Sequence, residues 1–230
     1  MRLPAIGFAI VFCVAAAAAA AAGLAAPLGA VQYAIKDDDG DPIANFDLGA
    51  DMSARLARLP GQVAVGNPQG DVTLLQFYDL NCPYCREAAA DVDALVRADN
   101  KLKLVFVPYA VLSMQSVQGG LVEIAAAKML TPQKYLEFHR RVYAGRGLID
   151  GARVLAAAQD VGLDQQKLAG AANAESTLAI LKENANFGSA ARLNVTPAYV
   201  IGGVAILGHP GLKPLQGLIT SMRACGKVVC

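Results

Sequence analysis

The sequence predicts an α/β fold into which an all-helical domain is inserted, and three observations support this prediction. Two short apolar runs, at 72–78 and 102–108, flank a helix-forming stretch, which is the order of a βαβ unit with parallel strands. Residues 113–191 then show helical periodicity and no convincing strand. A β-hairpin is predicted at 196–207, where Gly-Gly separates two further apolar runs, so the chain returns to the sheet.

Composition limits the class of protein. With 230 residues, 55% of them hydrophobic, the chain is long enough to bury a full core. Its formal net charge of +1 provides no basic surface for a phosphate backbone. Nucleic acid is therefore not expected among its partners.

The N-terminus has the composition of an export signal. Arg2 precedes an apolar run, eight successive alanines follow, and small residues continue to Ala26. We therefore predict a signal peptide at 1–26. An uncleaved membrane anchor is the alternative, because the apolar run is long enough to span a bilayer.

Four cysteines remain outside the predicted signal: Cys82, Cys85, Cys225 and Cys230. An even number of cysteines in an exported chain predicts two pairs in an oxidising compartment. The bacterial periplasm is the most natural such compartment, and we predict that the protein is located there.

The rest of the chain divides where the pattern changes. Residues 27–65 are weakly patterned, and we predict an N-terminal arm with one marginal amphipathic helix at 52–59. An acidic run at 37–41 resembles the start of a calcium loop, but Pro42 ends the ligand alternation, so a solvated turn is predicted. The other divisions are 66–112 and 192–224 for the two parts of the α/β fold, 113–191 for the inserted helical domain and 225–230 for a C-terminal tail.

A Cys-x-x-Cys motif lies where the first predicted strand of the βαβ unit meets its helix. Cys82 stands at the helix start, where unpaired backbone N–H groups and the helix dipole stabilise a thiolate. Such an environment lowers a cysteine pKa from about 8.5 to about 3.5–7.5. Cys85 lies one turn inside the helix, so we expect it to be more buried and to act as the resolving thiol. Pro83 costs no hydrogen bond at the start of the helix.

The motif has two other interpretations, half of a zinc site and an inert structural disulfide. Zinc needs two further ligands, and the only candidates are the C-terminal cysteines or His139 and His209, at no recognisable spacing. We therefore predict no metal and no cofactor, and a redox-active pair rather than a structural one.

A second motif, Val195-Thr196-Pro197, immediately precedes the predicted hairpin. Proline at the head of a strand is disfavoured unless it lies at an edge or at a special bond, and X-Pro is the one context in which a cis peptide is cheap. A cis bond would turn the Thr196 backbone outward, where it pairs with an extended substrate. From this dipeptide alone, a cis bond and an ordinary trans bond are both open.

Together these features resemble the thioredoxin superfamily, and more narrowly its exported DsbA-like thiol:disulfide oxidoreductases. The resemblance covers about 66–222 and rests on 77–85, which holds Cys-Pro-Tyr-Cys, and on 195–203, which holds Val-Thr-Pro. It implies a thioredoxin fold with an inserted helical domain. It also implies that Cys82 is the exposed nucleophile, that Cys85 resolves, and that a cis-proline loop packs against them. The residues that it places in support of the site or in substrate binding are Pro83, Tyr84, Thr196 and Pro197.

Departures from the family pattern leave the direction of the reaction open. Gln76, six residues before Cys82, stands where such proteins often carry a buried acid that relays protons to the second thiol. Glutamine cannot titrate, so a relay must use water or another residue. Pro-Tyr in the motif is not the Pro-His of the strong oxidases. Thr196 before the proline is common in isomerases and in relatives of the copper-resistance-linked ScsC proteins.

The two C-terminal cysteines, Cys225 and Cys230, are predicted to form a structural disulfide that fastens the tail. Closing so short a loop contributes at most about 2 kcal/mol by chain entropy. The alternative is a second redox pair that exchanges with the first.

Four other residues are assigned by their context. His139 lies beside two arginines on an amphipathic helix, so we expect it on a surface face. His209 lies in a loop that can approach the site, and no role is assigned to it. Tyr199 and Phe77 are expected in the core rather than in substrate binding.

The predicted function is that of a periplasmic oxidase, which donates the Cys82–Cys85 disulfide to exported client proteins through a mixed disulfide at Cys82. Reoxidation by a membrane partner is implied by the resemblance alone. An isomerase or reductase of the ScsC type, often a dimer or trimer, is the first alternative, whereas we expect a monomer. A non-enzymatic binding module with a structural disulfide is the second.

Overall fold

The computed structural model describes residues 31–230, so the predicted signal at 1–26 lies outside the described residues. The strands are β1 (Asn45–Asp47), β2 (Val63–Gly66), β3 (Val72–Tyr78), β4 (Leu102–Pro108), β5 (Ala198–Ile201) and β6 (Val204–Leu207). The helices are α1 (Ala50–Leu56), α2 (Pro83–Ala98), α3 (Met114–Ala127), α4 (Pro132–Tyr143), α5 (Gly151–Asp160), α6 (Gln165–Ala172), α7 (Glu175–Ala190) and α8 (Leu212–Cys225).

Within residues 31–230, six strands form one sheet in the order β1-β6-β5-β3-β4-β2. The pair β3 and β4 is parallel, as the βαβ pattern predicts, and the four other pairs are antiparallel. The predicted hairpin joins β5 to β6 through Gly202 and Gly203, whose φ angles are 56° and 80°. Two successive residues with positive φ suit glycine, which explains the Gly-Gly sequence. The sheet thus places the start of α2 and the Thr-Pro segment at the same end of two adjacent strands, β3 and β5.

The predicted arm contributes more to the sheet than one marginal helix. β1 pairs with β6 and β2 pairs with β4, so both edge strands come from 27–65. α1 is present, and its Leu56 is buried in the core. The sequence predicted the helix of this segment and not its two strands. Strands this short have little periodicity of their own and depend on the backbone of the strand that they pair with.

Helices cover both faces of the sheet. One face, which carries Tyr78 and Tyr199, packs in a single buried cluster with residues of α2, α4 and α8. The other face carries Phe77, whose ring stacks on Phe187 of α7 at a centroid distance of 5.7 Å. Both Phe77 and Tyr199 have no exposed surface, so their predicted place in the core is confirmed.

Five consecutive helices, α3 to α7, lie between β4 and β5, where the sequence predicts only helices. Four of them begin at a side chain that accepts a hydrogen bond from the backbone N–H three residues later, which satisfies a group that the helix leaves unpaired. These capping residues are Ser113, Thr131, Asp150 and Asp164. Local sequence therefore sets the starts of these helices.

His139 is buried rather than on the surface, so that expectation was wrong. It is 3% exposed, and its ring stacks on Phe106 at 4.2 Å between centroids. Tyr135, Phe138 and Val142 share its face of α4, so the spacing places His139 on the apolar stripe. Burial lowers the pKa of His139 to about 3, which keeps the ring neutral at physiological pH.

Candidate active site

The Cys-x-x-Cys motif begins α2 directly after the short loop that follows β3. Cys82 is the N-cap residue and Pro83 is the first residue of the helix. The loop is held by Asp79, which is 1% exposed. Its carboxylate accepts hydrogen bonds from the backbone N–H groups of Val111 and Leu112 and from the Ser116 hydroxyl, at 2.8, 2.9 and 2.6 Å. Sequence reasoning missed Asp79, although an acid directly after a buried strand was the available signal.

Two polar residues that flank the motif attach it to the inserted helices. Asn81 exchanges two hydrogen bonds with the backbone of Ile149, at 2.8 and 2.9 Å. The guanidinium of Arg86 donates to the carbonyls of Tyr143 and Gly145, at 2.9 and 2.8 Å. The active loop is therefore fixed from the side of the insertion as well as from the sheet. Neither role was predicted from the sequence.

Both thiols of the motif are free and buried, with 5% of Cys82 and 1% of Cys85 exposed. Cys85 is the more buried, as predicted. Cys82 is less accessible than the exposed nucleophile that the resemblance implies, because Thr196 lies over it. The Cys82 thiol donates a hydrogen bond to the Thr196 carbonyl at 3.0 Å, and the Thr196–Pro197 peptide bond is cis. The fold thus brings together the two predicted motifs, which are more than a hundred residues apart.

The two thiols have opposite electrostatic environments. The pKa of Cys82 is lowered to about 6, first by a hydrogen bond from the Cys85 thiol, and then by the Thr196 side chain and the backbone N–H groups of Cys85 and Tyr84. Burial opposes this shift. Burial is the main cause that raises the pKa of Cys85 far above its ordinary value. With a pKa of about 6, about nine-tenths of Cys82 is thiolate at pH 7, whereas Cys85 keeps its proton.

Exposed apolar side chains surround the motif. Tyr84, inside the motif, is 64% exposed. Others come from segments that contact the active loop, because Val111 and Leu112 follow β4 beside Asp79 and Val195 precedes Thr196. We call this set the apolar rim, and its members are Tyr84, Val111, Leu112, Met114, Leu148 and Val195. Together they place exposed apolar side chains on the segments that adjoin the active loop.

Gln76 lies beneath the thiols on the face of the sheet that packs against α2. It is 2% exposed, and its amide donates to the hydroxyl of Tyr199, the residue opposite it on β5, at 3.3 Å. The same hydroxyl lies 2.8 Å from Nδ1 of His209, whose Nε2 lies 2.9 Å from the carboxylate of Asp91. His209 therefore does reach the interior behind the active pair, through Tyr199.

A second buried polar group, Glu123 of α3, lies in the insertion. It has no exposed surface, and neither carboxylate oxygen has a hydrogen-bond partner within residues 31–230. Burial raises its pKa to about 8, so it holds its proton at neutral pH. The hydroxyl of Tyr143, on α4, is likewise buried without a partner there.

The C-terminal cysteines are joined. Cys225, the last residue of α8, forms a disulfide with Cys230 across a separation of 5 residues, and both are exposed. In the structure this pair closes the tail on itself, as the predicted structural disulfide would.

Residues 31–230 contain no cluster of three or more His, Cys, Asp or Glu side chains arranged to hold a metal ion. In the same range, no helix has both the length and the apolar character needed to span a membrane.

Comparison with protein families places this geometry in a known group. The family model described as "Thioredoxin" matches residues 58–221, which is well over half of the chain. The match contains both motifs and all five inserted helices. No curated protein sequence matches the chain.

Solved structures support the same placement. A thioredoxin-like oxidoreductase from Silicibacter pomeroyi DSS-3 is 30% identical, with a TM-score of 0.66, and the match covers 77% of this chain and 99% of that one. The thiol-disulfide exchange protein alpha-DsbA2 from Wolbachia pipientis is 19% identical (TM-score 0.67, 74% and 93% covered). The catalytic domain of Proteus mirabilis ScsC is 19% identical (0.67, 75% and 97%). The last two share the fold, and together the matches confirm the predicted thioredoxin fold with inserted helices.

Proposed function

The chain belongs to the thioredoxin family, and from this premise we propose that it is an exported dithiol oxidase. It transfers the Cys82–Cys85 disulfide to client proteins that carry reduced cysteines. One observation carries the proposal: the two thiols differ, with a thiolate-forming Cys82 at the start of α2 and a protonated Cys85 one turn inside it. An inert structural disulfide does not require this asymmetry, whereas thiol exchange does.

The reaction follows from this asymmetry. A client thiolate attacks the sulfur of Cys82, the Cys82–Cys85 bond breaks, and Cys85 leaves and takes up a proton. The second client thiolate then attacks the client sulfur of the mixed disulfide, which forms the client disulfide and releases Cys82 as a thiolate. Two electrons pass from the client to the cysteine pair. Because its thiolate is stabilised, Cys82 is a good leaving group and the reduced pair is favoured, which makes the disulfide oxidising.

The surroundings of Cys82 suit an unfolded client. The apolar rim supplies contacts for exposed apolar side chains, and the backbone of Thr196 lies beside the reacting sulfur, where an extended chain pairs with it. We propose that clients are exported chains before they fold, and that a membrane-bound oxidant regenerates the disulfide.

The periplasm is the proposed location. The composition of 1–26 and the closed Cys225–Cys230 disulfide both support an oxidising compartment. One solved structure with the same fold, 21% identical, is that of a periplasmic thioredoxin-like protein from Salmonella enterica serovar Typhimurium. The mass of the mature protein, compared with that of the full chain, tests whether 1–26 is removed.

The redox potential of the Cys82–Cys85 pair tests the proposal most directly. It is measured against glutathione in the Cys225→Ser/Cys230→Ser double variant, so that one dithiol is titrated. We expect a value between about −120 and −180 mV, the range of strong periplasmic oxidants and of protein disulfide isomerase. A thioredoxin-like value near about −270 mV would reject the oxidase assignment.

A disulfide isomerase of the ScsC type is the second candidate, and it rests on Thr196 before the cis-proline and on the likeness to ScsC structures. Refolding of a scrambled multi-disulfide substrate separates the two. An isomerase restores activity to the scrambled substrate, whereas an oxidase acts on the reduced one. Gel filtration provides a second criterion, since we expect a monomer for the oxidase and a larger species for the isomerase.

A further inference from the structure

The exchange reaction that we propose requires proton transfer to and from a thiol that is buried. Cys85 must gain a proton when it leaves Cys82 and lose one when it attacks, yet it is 1% exposed. Gln76, the nearby polar residue on β3, has no titrating group. The proton must therefore travel through other side chains, and one connected set leads from this part of the core to the surface.

That set is a row of three hydrogen bonds. Gln76 Nε2 lies 3.3 Å from the Tyr199 hydroxyl, that hydroxyl 2.8 Å from His209 Nδ1, and His209 Nε2 2.9 Å from Asp91 Oδ2. An amide nitrogen only donates, so the Tyr199 oxygen accepts from Gln76. A carboxylate only accepts, so His209 donates from Nε2 to Asp91, and in the tautomer with its single proton there Nδ1 accepts from Tyr199. In this arrangement every bond points from Gln76 toward Asp91.

The inner end of this row lies in the buried cluster that also contains Cys85. Tyr199 and Cys85 belong to the same buried cluster, on the face of the sheet beneath α2. After burial, the charge of a Cys85 thiolate is the next cause that raises the pKa of Tyr199, so the two groups are within electrostatic range. The Tyr199 hydroxyl donates its proton to His209. One lone pair of its oxygen therefore remains to accept a second proton.

The outer end reaches solvent. Tyr199 has no exposed surface, the His209 side chain is 13% exposed and the Asp91 side chain is 34% exposed. Exposure thus rises along the row. The row therefore leads from the buried cluster around Cys85 to a side chain that contacts bulk solvent.

We propose that Tyr199, His209 and Asp91 form a proton relay that serves Cys85 during disulfide exchange. When Cys85 attacks a mixed disulfide at Cys82, its proton passes to the Tyr199 oxygen, the Tyr199 proton to His209 Nδ1, and the Nε2 proton to Asp91. The new Cys82–Cys85 bond forms as the thiolate of the other partner leaves. In the opposite direction, the same transfers run in reverse and protonate Cys85 as it leaves. This inference rests on the proposed function.

Other groups face the relay. Gln76, which cannot titrate, faces it from β3, and the titratable Cys85 lies on α2, the helix that also carries Asp91. Asp38 lies at its outer end, where its backbone N–H donates to the Pro210 carbonyl at 2.9 Å. The rival acceptor for the Cys85 proton is Glu123, through Tyr143, whose pKa is also raised by Cys85 after burial. Within residues 31–230 no hydrogen bond leads from the Glu123 carboxylate or the Tyr143 hydroxyl to solvent. The Tyr199 route is the one that hydrogen bonds connect to an exposed side chain.

The test is a stopped-flow reaction of the reduced Cys82–Cys85 pair with one equivalent of 5,5′-dithiobis(2-nitrobenzoate), followed by release of the nitrobenzoate thiolate. The first phase reports the attack of Cys82 on the reagent, and the second reports the attack of Cys85 on the resulting mixed disulfide. We expect Tyr199→Phe and His209→Gln to slow the second phase about a hundredfold at pH 7, the lower end of the range for general acid–base catalysis. The first phase should stay within about twofold of the parent.

The pH profile separates proton transfer from a structural effect. Hydroxide replaces the relay as pH rises, so the deficit of both variants should shrink between pH 7 and 9.5. A constant deficit would indicate displaced side chains and would overturn the relay. His209→Gln keeps a side chain that makes hydrogen bonds but transfers no proton, and it decides the question if Tyr199→Phe does not fold.

Two further results would contradict the inference. If both variants keep the parent's second phase, or if Glu123→Gln slows that phase and they do not, the proton leaves by another route. Loss of the first phase in the parent protein would instead reject the proposed function itself, because Cys82 would then not act as a nucleophile. The two failures are therefore distinguishable in one experiment.

Discussion

The two cysteine pairs of this chain differ in their position on a helix, in burial and in oxidation state. Cys82 and Cys85 lie at the N-terminal end of a helix, buried and reduced. Cys225 and Cys230 lie at the C-terminal end of another, exposed and joined. Unpaired N–H groups stabilise a thiolate at the first position, whereas unpaired carbonyls oppose one at the second. The comparison teaches that a pair is suited to exchange when it lies at a helix start, where the second thiol and backbone N–H groups both stabilise the first thiolate.

Removing one sulfur from each pair gives the largest expected contrast. Cys82→Ser should lower the rate of peptide thiol oxidation at least about a thousandfold, the order expected when a nucleophile is lost. Cys225→Ser/Cys230→Ser should stay within about twofold of the parent, because its disulfide lies outside the active site. Oxidation of a fluorescent dithiol peptide measures both. A large loss of oxidation rate in the double variant would show that the tail cysteines are a second redox pair.

The tail pair should matter for stability instead. Its loop is short, so Cys225→Ser/Cys230→Ser should lower the free energy of unfolding by at most about 2 kcal/mol. Urea denaturation of the oxidised protein measures the change, with parent protein as the reference. A loss well beyond this limit would show that the tail holds more of the core than its exposed position indicates.

The two thiols of the active pair should depend on each other. The Cys85 thiol is the first cause of the low Cys82 pKa, so Cys85→Ala should raise that pKa and slow iodoacetamide alkylation of Cys82 at pH 6 about tenfold. Cys85→Ser keeps a hydroxyl donor and serves as the matched control, with a smaller effect. If both variants are alkylated at the rate of the parent protein, the low pKa of Cys82 comes from the helix end alone.

Of the two cysteine pairs, only the active pair should make stability depend on pH. The pKa of Cys82 is about 6 in the folded state against 9.0 as a free thiol, so the thiolate stabilises the reduced fold fully above pH 9, and this contribution is lost as pH falls to 6. The slope should stay below about 1.4 kcal/mol per pH unit. Urea unfolding of reduced Cys225→Ser/Cys230→Ser from pH 5 to 9 measures it. Adding Cys82→Ser should lower the slope between pH 6 and 9 relative to the double variant, because it removes the contribution of the Cys82 thiolate and leaves that of Glu123. An unchanged slope would contradict the assignment.

The smallest expected effect concerns Thr196. Its side chain helps to lower the Cys82 pKa, so Thr196→Val, which keeps the shape and removes the hydroxyl, should raise that pKa and slow alkylation at pH 6 about threefold. Thr196→Ser is the control, since it restores the donor. A pH titration of thiolate absorbance at 240 nm checks the shift, and an increased rate in the valine variant would contradict it.

The local features of the site were predictable because short segments determine them. The apolar run before Cys82 forms a buried strand, and Pro83 begins a helix at a position where no N–H is needed. These two facts are enough to predict a helix-start thiol and a more buried second one. The Thr-Pro dipeptide alone allows a cis or a trans bond before Pro197. The resemblance to DsbA-like proteins predicted the cis bond.

Other features escaped prediction because they depend on contacts between distant segments. His139 carries a polar ring, and its burial follows from the apolar face that it shares on α4. Both edge strands come from a segment without strong periodicity, and they exist because β4 and β6 present unpaired backbone groups to them. Cys82 is covered rather than exposed, because Thr196 meets it across more than a hundred residues of chain.

The sequence by itself determined the fold class, the inserted helices and the position of the cysteine pair at a strand–helix junction, because periodicity, glycine turns and helix starts are local properties. The tertiary structure alone decided which groups surround that pair. It set the cover over Cys82, and it connected Tyr199, His209 and Asp91 into one row of hydrogen bonds. A pKa or a proton route depends on distances between groups far apart in the chain, and only folding fixes those distances.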